Sequence, residues 1–430
     1  MAAESEPITK VAVLGSGVMG SRIAALLANG GLSVDLYDLP DDGHPTRLAE
    51  EGLANALNSR PPAFFSSEIA RSIRCRSLED LRPLRTVHWI VEAIVEDLDA
   101  KRELLARVDD AVAGSSTIQC ISTNTSGLSV NGMSTDRSEV FRRMFMGVHF
   151  FNPPRYMKLV EVVPCAHTAG QVLSGMTRFL EQEFGKGVVE CRDTPNFIAN
   201  RVGVFALMDC LHRMQRSDLV AEEVDAVTGV LIGRPRSATL RLSDIIGLDV
   251  LADVASTAYE NLPEDRGRET FALPGLVTSM VAGGFLGEKT GGGFYRKGPA
   301  GEIEVLDPGS MQYRPRRKAD LGGEMGEVAS RRGFRDRLEG LMNSSGRLAE
   351  FACGHLAEVV AYAAENGPEM ASGVDRIDRA MRWGFNWEAG PFEVADMIGA
   401  DRLEAQLRKR ARSVPPLLKE ISRSSAGAFY

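Results

Sequence analysis

Short apolar runs recur through the first half of the chain, and most are followed by a stretch with helical spacing. In residues 9–38, Val11-Ala12-Val13-Leu14 runs into Gly15-Ser16-Gly17-Val18-Met19-Gly20. Apolar positions Ile23, Ala24, Leu26 and Leu27 then repeat at helical spacing up to Gly30-Gly31. Ser33-Val34-Asp35-Leu36-Tyr37-Asp38 follows as a second strand-like run. Further apolar runs fall at 87–94, 117–122, 145–151, 159–163 and 188–191, most of them separated by helix-like segments such as 100–108. Residues 45–76 read as a helical segment. Strand and helix in alternation predict an α/β, Rossmann-type N-terminal domain with a mostly parallel sheet and helices on both faces.

The texture changes near residue 193. Residues 197–261 are helical in pattern, and so are residues 348–407. Between them, 283–323 is rich in Gly, Pro and charge, and reads as a loop or a small ordered linker. The two helical stretches echo one another. Residues 224–252 and 377–405 share an Asp near the start, a central Gly/Pro, and Asp-x-Ile-Gly-x-Asp near the end, so that Asp244 and Gly247 correspond to Asp396 and Gly399. A repeated helical unit is the reading. The expected domains are 1–192, a nucleotide-binding Rossmann domain; 193–300, a first helical module; 301–344, a linker; and 345–430, a second helical module.

Composition narrows the class. The 430 residues are 44% hydrophobic and 25% charged, the balance of a globular chain rather than a disordered or collagenous one. A net charge of -8 argues against a general nucleic-acid binder. The six cysteines contain no CxxC pair, so neither a thiolate metal site nor a redox dithiol is expected. The acidic start, MAAESEPITK, lacks the apolar core of a signal peptide. No run reaches the roughly 18 apolar residues of a membrane span. The end, SSAGAFY, carries no peroxisomal or prenyl signal. A cytoplasmic location is the expectation.

Candidate chemistry begins at the glycines. Gly15, Gly17 and Gly20 directly follow a strand and open a helix, the context a dinucleotide turn requires. Gly15 permits the tight turn, Gly17 lets backbone approach a pyrophosphate, and Gly20 lets helix and strand pack closely. Ser16, Val18 and Met19 complete the loop, whose helix N-terminus offers free N–H groups and a positive dipole. Asp38 stands 18 residues after Gly20 at the end of the second strand. A carboxylate there can bond ribose hydroxyls and would repel a 2′-phosphate, which favours NAD over NADP. The motif alone leaves FAD open.

A second constellation lies at Gly147-Val148-His149-Phe150-Phe151-Asn152-Pro153-Pro154 and Lys158-Leu159-Val160-Glu161. His149 falls in one apolar strand and Glu161 in the next, across a proline-bounded turn. Alone, His149 reads as a satisfied core histidine, and Glu161 as a buried charge in need of a partner. Together they make a carboxylate–imidazole pair, in which the acid fixes the tautomer and the other ring nitrogen takes a proton.

On these residues the chain resembles the L-3-hydroxyacyl-CoA dehydrogenases of fatty-acid β-oxidation. GSGVMG, VEAIVED, NTS, HFFNPP-x3-KLVEV, DTPNFIANR and LGEKTGGGFY occur in the family's order. The resemblance covers about 9–300, with a second copy of the C-terminal module at about 345–430. The wording is most similar to the dehydrogenase part of bacterial multifunctional β-oxidation enzymes, without an enoyl-CoA hydratase domain. It implies helical modules like the C-terminal domain of 6-phosphogluconate dehydrogenase. It further implies NAD-dependent oxidation of (S)-3-hydroxyacyl-CoA to 3-oxoacyl-CoA in a cleft between the Rossmann domain and the first module. His149 is then the general base, Glu161 its partner, and Ser126 and Asn200 bind the C3 oxygen. Glu96, Lys101, Asn152 and Lys289 surround the nicotinamide half of the cofactor, and no metal is needed.

The implied partners are an acyl-CoA substrate and a separate enoyl-CoA hydratase or thiolase, in a monomer or homodimer. The family's Gly-Pro-Phe-Glu signature appears only in the second copy, at Gly390-Pro391-Phe392-Glu393. The second copy is therefore expected to occupy the dimer surface within one chain. The family's lysine-rich CoA-contacting helix is replaced by a segment carrying Arg47, Arg60, Arg71, Arg74 and Arg76, suited to phosphate or to a solvated face. Two alternatives remain: a free 3-hydroxy-acid dehydrogenase of the lambda-crystallin/gulonate branch, and a non-catalytic binding or scaffold relative.

Overall fold

The computed structural model describes residues 6–424 and 427–430. The chain divides into two compact units, residues 1–197 and 198–430. The boundary lies beyond the expected 192 because the intervening residues belong to the first unit. Asp193 accepts bonds there from Ser129, Val130 and Asn131, and Phe197 is fully buried.

The first unit is a Rossmann-type layered α/β domain. Its sheet holds β1 (Lys10–Leu14), β2 (Ser33–Asp38), β3 (Arg74–Ser77), β4 (Trp89–Glu92), β5 (Cys120–Thr123), β6 (Phe145–Phe150), β7 (Leu159–Pro164) and β8 (Gly187–Glu190), in the order β3-β2-β1-β4-β5-β6-β7-β8. β1 to β6 run parallel, β7 is antiparallel to β6, and β8 follows β7. The strand order reverses between β1 and β4, the topological switch point of open parallel sheets. Val11, Val13, Val34, Leu36, Val91 and Val148 pack against Ile23, Ala24 and Leu27 of the helix Val18–Asn29.

β3 departs from the helical reading of 45–76. That segment forms the helices Arg47–Leu57 and Ser67–Ala70 and then the edge strand. Arg-Cys-Arg-Ser has no apolar alternation to announce a strand. It is held because Arg74 and Arg76 both reach the fully buried Asp35 of β2, at 2.8 and 3.0 Å. Those two arginines, read as suited to phosphate or to a solvated face, both pair with this buried carboxylate. Arg47 is engaged with Asp41 and Glu51, while Arg60 and Arg71 are exposed.

The second unit is mostly helical. Its centre is the helix Arg347–Met370, buried along most of its length and packed on the helix Ala199–Gln215. Tyr362 stacks on Phe205 with centroids 3.7 Å apart. Tyr362 and Asp265 also bond the buried Arg201. Two helical modules show the same hydrogen-bonded plan. Asp225 accepts from the N–H groups of Thr239, Leu240 and Arg241 and from the Tyr295 hydroxyl. Asp378 accepts from Phe392 and Glu393 N–H and from the Tyr430 hydroxyl. Asp244 takes the N–H groups of Phe294 and Tyr295, and Asp396 those of Phe429 and Tyr430. Gly247 and Gly399, at φ 97° and 91°, join two helices in each module.

The segment expected as a linker is ordered. β9 (Tyr295–Lys297), β10 (Ile303–Asp307) and β11 (Gln312–Pro315) form a three-stranded antiparallel sheet, followed by the helices Gly322–Ser330 and Phe334–Asn343. The buried Phe294, Tyr295, Val305 and Leu306 anchor the sheet, and Met325, Val328, Phe334, Leu338 and Leu341 anchor the two helices. Among the described residues no helix is long and apolar enough to cross a membrane, and all six cysteines are free.

Candidate active site

The candidate site residues of the first unit gather at the carboxyl ends of its parallel strands, where ligands bind in open α/β sheets. β1 delivers the glycine turn. Gly15 sits at φ 105°, and a Cβ there would strike the carbonyl of Ala93. A Cβ on Gly20 would collide with the Gly15 carbonyl, so helix and strand are in close contact. Gly17 differs: a Cβ there would meet nothing within 4 Å. No side chain caps the N-terminus of the helix Val18–Asn29, which leaves its N–H groups available to an anion. A cavity of about 560 Å³ opens beside the turn, lined by Gly15, Gly17, Asp38, Leu39, Ile94 and Leu104 among others. A dinucleotide fits these features: open backbone for phosphates, a carboxylate at the end of β2, and apolar walls for a base. Asp38 is anchored there, its Oδ2 accepting from the Ser16 N–H at 2.6 Å and the Ser16 hydroxyl at 2.5 Å.

β4 ends in Glu92, a fully buried carboxylate. It accepts from Lys101 Nζ at 2.7 Å, from the Ile94 N–H at 2.7 Å and from the Thr123 hydroxyl at 2.5 Å. Lys101, expected against the cofactor, is instead only 1% exposed and committed to this carboxylate. The reason is elementary: a buried anion holds the nearest cation. Lys101 still reaches Glu96 Oε2 at 3.4 Å.

Glu96 in turn organises the Asn124-Thr125-Ser126 turn beyond β5. Its Oε1 accepts from the Thr125 hydroxyl (2.6 Å), the Ser126 N–H (2.8 Å), the Ser126 hydroxyl (3.2 Å) and the Gly127 N–H (3.3 Å). Burial pushes the Glu96 carboxyl up, but Lys101 and the bonds from Thr125 and Ser126 outweigh it and hold the group below the usual range. The carboxylate is therefore charged at neutral pH and fixes Ser126 at the sheet edge.

His149 and Glu161 face each other in the antiparallel register of β6 and β7. Nδ1 of His149 lies 2.8 Å from Glu161 Oε2, with Glu161 fully buried. The rings of Phe151 and Phe197 pack on the imidazole at centroid distances of 4.4 and 5.7 Å. With Nδ1 held, Nε2 is the nitrogen left for a proton. Asn124 Oδ1 accepts the Phe150 N–H and so ties the Ser126 turn to the strand that carries His149. Asn152, in the turn after β6, accepts a bond from Arg22 at 2.5 Å. Lys186 props the same turn by donating to the carbonyls of Pro154 and Met157. Burial pushes its ammonium down to about 8.

Asn200 and Lys289 belong to the second unit. Asn200 lies in the first turn of the helix Ala199–Gln215, half-buried, and Lys289 Nζ pairs with Asp249 at 2.5 Å. Glu92, Asn124, Arg22 and Lys186 support the candidate site residues and were not singled out from the sequence. Glu92 had a readable signal: a carboxylate inside an apolar run needs a partner, the same argument that singled out Glu161. Among the described residues no cluster of His, Cys, Asp and Glu could hold a metal ion.

Comparison with known proteins identifies the family. Residues 10–194 match the family model described as 3-hydroxyacyl-CoA dehydrogenase, NAD binding domain, and residues 197–297 match 3-hydroxyacyl-CoA dehydrogenase, C-terminal domain. A Bacillus subtilis protein named "Probable 3-hydroxyacyl-CoA dehydrogenase" is 38% identical over 98% of this chain, which spans 55% of that protein's length. A Deinococcus radiodurans protein of the same name is 45% identical, over 67% of this chain and 83% of its own length. The crystal structure of 3-hydroxybutyryl-CoA dehydrogenase from Escherichia coli has the same fold, with a TM-score of 0.71 at 22% identity over 96% of this chain and 98% of that one.

Proposed function

The chain belongs to the 3-hydroxyacyl-CoA dehydrogenase family, and from that premise we propose that it oxidises (S)-3-hydroxyacyl-CoA to 3-oxoacyl-CoA with NAD in fatty-acid β-oxidation. The observation that carries this reading is the buried His149–Glu161 pair, 2.8 Å apart at the carboxyl edge of the sheet.

Bound NAD supplies the acceptor for the hydride that leaves C3. Nε2 of His149 takes the C3 hydroxyl proton, while Glu161 on Nδ1 holds the tautomer and balances the imidazolium that forms. The Ser126 hydroxyl exchanges its long bond to Glu96 for one to the C3 oxygen. Asn200 is the second donor to that oxygen, stabilising the charge that gathers there. In the reverse direction the same groups polarise the 3-keto oxygen, and His149 returns the proton. The glycine turn and Asp38 hold the adenine half of the dinucleotide. Glu96, Asn152 and Lys289 serve its nicotinamide half, and Lys101 acts through Glu96. The chemistry on either side implies an enoyl-CoA hydratase to supply the substrate and a thiolase to consume the product. The two modules of the second unit are read as a duplicated family C-terminal domain.

NADH formation is the test, with (S)-3-hydroxybutyryl-CoA, a long-chain (S)-3-hydroxyacyl-CoA and the free 3-hydroxy acids as substrates. Turnover of a thioester and not of the acids supports the proposal, and the ratio of the two thioesters sets the chain-length preference. Turnover of the acids alone would reject it, as would NADH binding without any turnover.

A further inference from the structure

A cavity of about 1040 Å³ lies wholly within the second unit, walled by the first helical module, β9, β10 and the segment after β11. Seven basic side chains and three carboxylates line it. The three carboxylates are engaged. Glu222 takes both Arg314 nitrogens, at 2.6 and 2.7 Å, and Asp225 takes three N–H groups and the Tyr295 hydroxyl. Glu288 pairs with Arg241. Of the cations, Arg296 is answered by Glu304, and Arg316 lies over the Tyr295 ring. The exposed side chains of Arg236, Lys297, Arg317 and Lys318 line the cavity with no side-chain ion pair among the described residues, while the Arg317 backbone N–H donates to Glu222 Oε1 at 2.9 Å. This is a local excess of positive charge in a chain whose net charge is -8. Beside it, Val230 and Ile303 leave 46% and 39% of their surface open.

We propose that this cavity binds an organic diphosphate, with its phosphates on Arg236, Lys297, Arg317 and Lys318 and its apolar part on Val230 and Ile303. Cations converging on a concave wall repel one another until an anion neutralises them, and arginine forks match phosphate oxygens in pairs. Four unanswered charges exceed what one carboxylate or a single phosphate would balance. The volume is that of a small-molecule site and far exceeds an inorganic ion. Apolar side chains beside the cations serve no purpose for a bare anion. An acidic protein surface would instead call for cations spread over a convex or flat face.

The site is independent of the dehydrogenase assignment, and the experiment keeps the two apart. The full chain is saturated with NADH to fill the dinucleotide turn, and ADP is then titrated by calorimetry. Binding of ADP that weakens at least tenfold in Arg317→Glu/Lys318→Glu and in Arg236→Gln/Lys297→Gln is the expected result, with NADH affinity and the melting temperature unchanged. The affinity should also fall steeply with salt. ADP binding that ignores both variants would overturn the proposal. Inorganic pyrophosphate binding as tightly as ADP would overturn the apolar contact. Polyglutamate binding in place of ADP would assign the surface to an acidic protein instead. Failure of the dehydrogenase reading would show separately, as absent turnover with ADP binding intact.

Discussion

His149 illustrates how much one buried contact decides. Its Nδ1 is tied to a carboxylate with no exposure to water, so the ring has one orientation and one nitrogen to offer. His149→Gln removes the proton acceptor and keeps a polar group of similar length. Turnover should drop by about 10²–10⁴, the range for loss of a general base, while NADH affinity, followed by fluorescence titration, stays near that of the parent. Turnover close to that of the parent would sink the assignment, whereas loss of both together would indicate misfolding of the variant. Glu92 and Lys101 lie deeper in the same sheet edge and act on stability. Lys101→Met leaves Glu92 charged and unpaired in the interior, which costs roughly 3–5 kcal/mol. Urea unfolding should show that loss, and the double variant Glu92→Gln/Lys101→Met should recover part of it. A double variant as unstable as the sum of the single changes would mean that the two residues are not coupled. The glycine turn and the His–Glu pair were legible in the sequence because each places unusual chemistry inside an apolar run. Lys101 was misplaced because sequence spacing shows which residues are near a site, and not which buried carboxylate claims a cation first.

At the level of elements, the interior strands announced themselves and the marginal ones did not. β1, β4, β6 and β7 are mostly apolar runs because helices cover both faces of the sheet, and β2 is marked by Val34, Leu36 and Tyr37. β3 is an edge strand of alternating arginine, and β9 to β11 lie in a Gly- and charge-rich stretch, so neither carries the period-2 signal. The repeat was visible through Asp244, Gly247, Asp396 and Gly399. What the aspartates do was not visible, since their partners Tyr295 and Tyr430 lie far along the chain. Burial pushes Asp225 and Asp244 up to about 6 and Asp378 up to about 7. For an acid raised in the folded state, the folded form binds more protons between its unfolded and folded values. Stability therefore falls as pH rises from about 4 towards about 7 at these groups. His355, pushed down to about 4 by burial, works in the opposite sense over part of that range. The informative comparison is thus Asp378→Asn against the parent chain. Chemical denaturation at pH 5 and pH 8 should show a smaller loss of stability in the variant; an equal loss would show that Asp378 does not titrate in this window.

Across the whole molecule, each of the two units has its own closed core, and the proposed ligand contacts divide between them. The glycine turn, Asp38 and the His149–Glu161 pair are all in residues 1–197. The basic cavity and both Asp–Tyr modules are in residues 198–430. A ligand that binds only the folded form stabilises what it touches, by about 2.7 kcal/mol at a hundredfold excess over its dissociation constant. NADH, whose proposed contacts lie mostly in the first unit, should therefore raise chiefly that unit's melting transition, by several degrees. ADP, added on top of NADH, should move the transition of the second. Differential scanning calorimetry reads both shifts in one experiment. The Arg317→Glu/Lys318→Glu variant should lose the ADP shift and keep the NADH shift, and His149→Gln should keep both. A single transition that moves as one body with either ligand would mean that the units unfold together, and the variants alone would then assign each ligand to its site. If ADP moved only the first transition, it would be competing at the glycine turn, and the second unit would hold no nucleotide of its own.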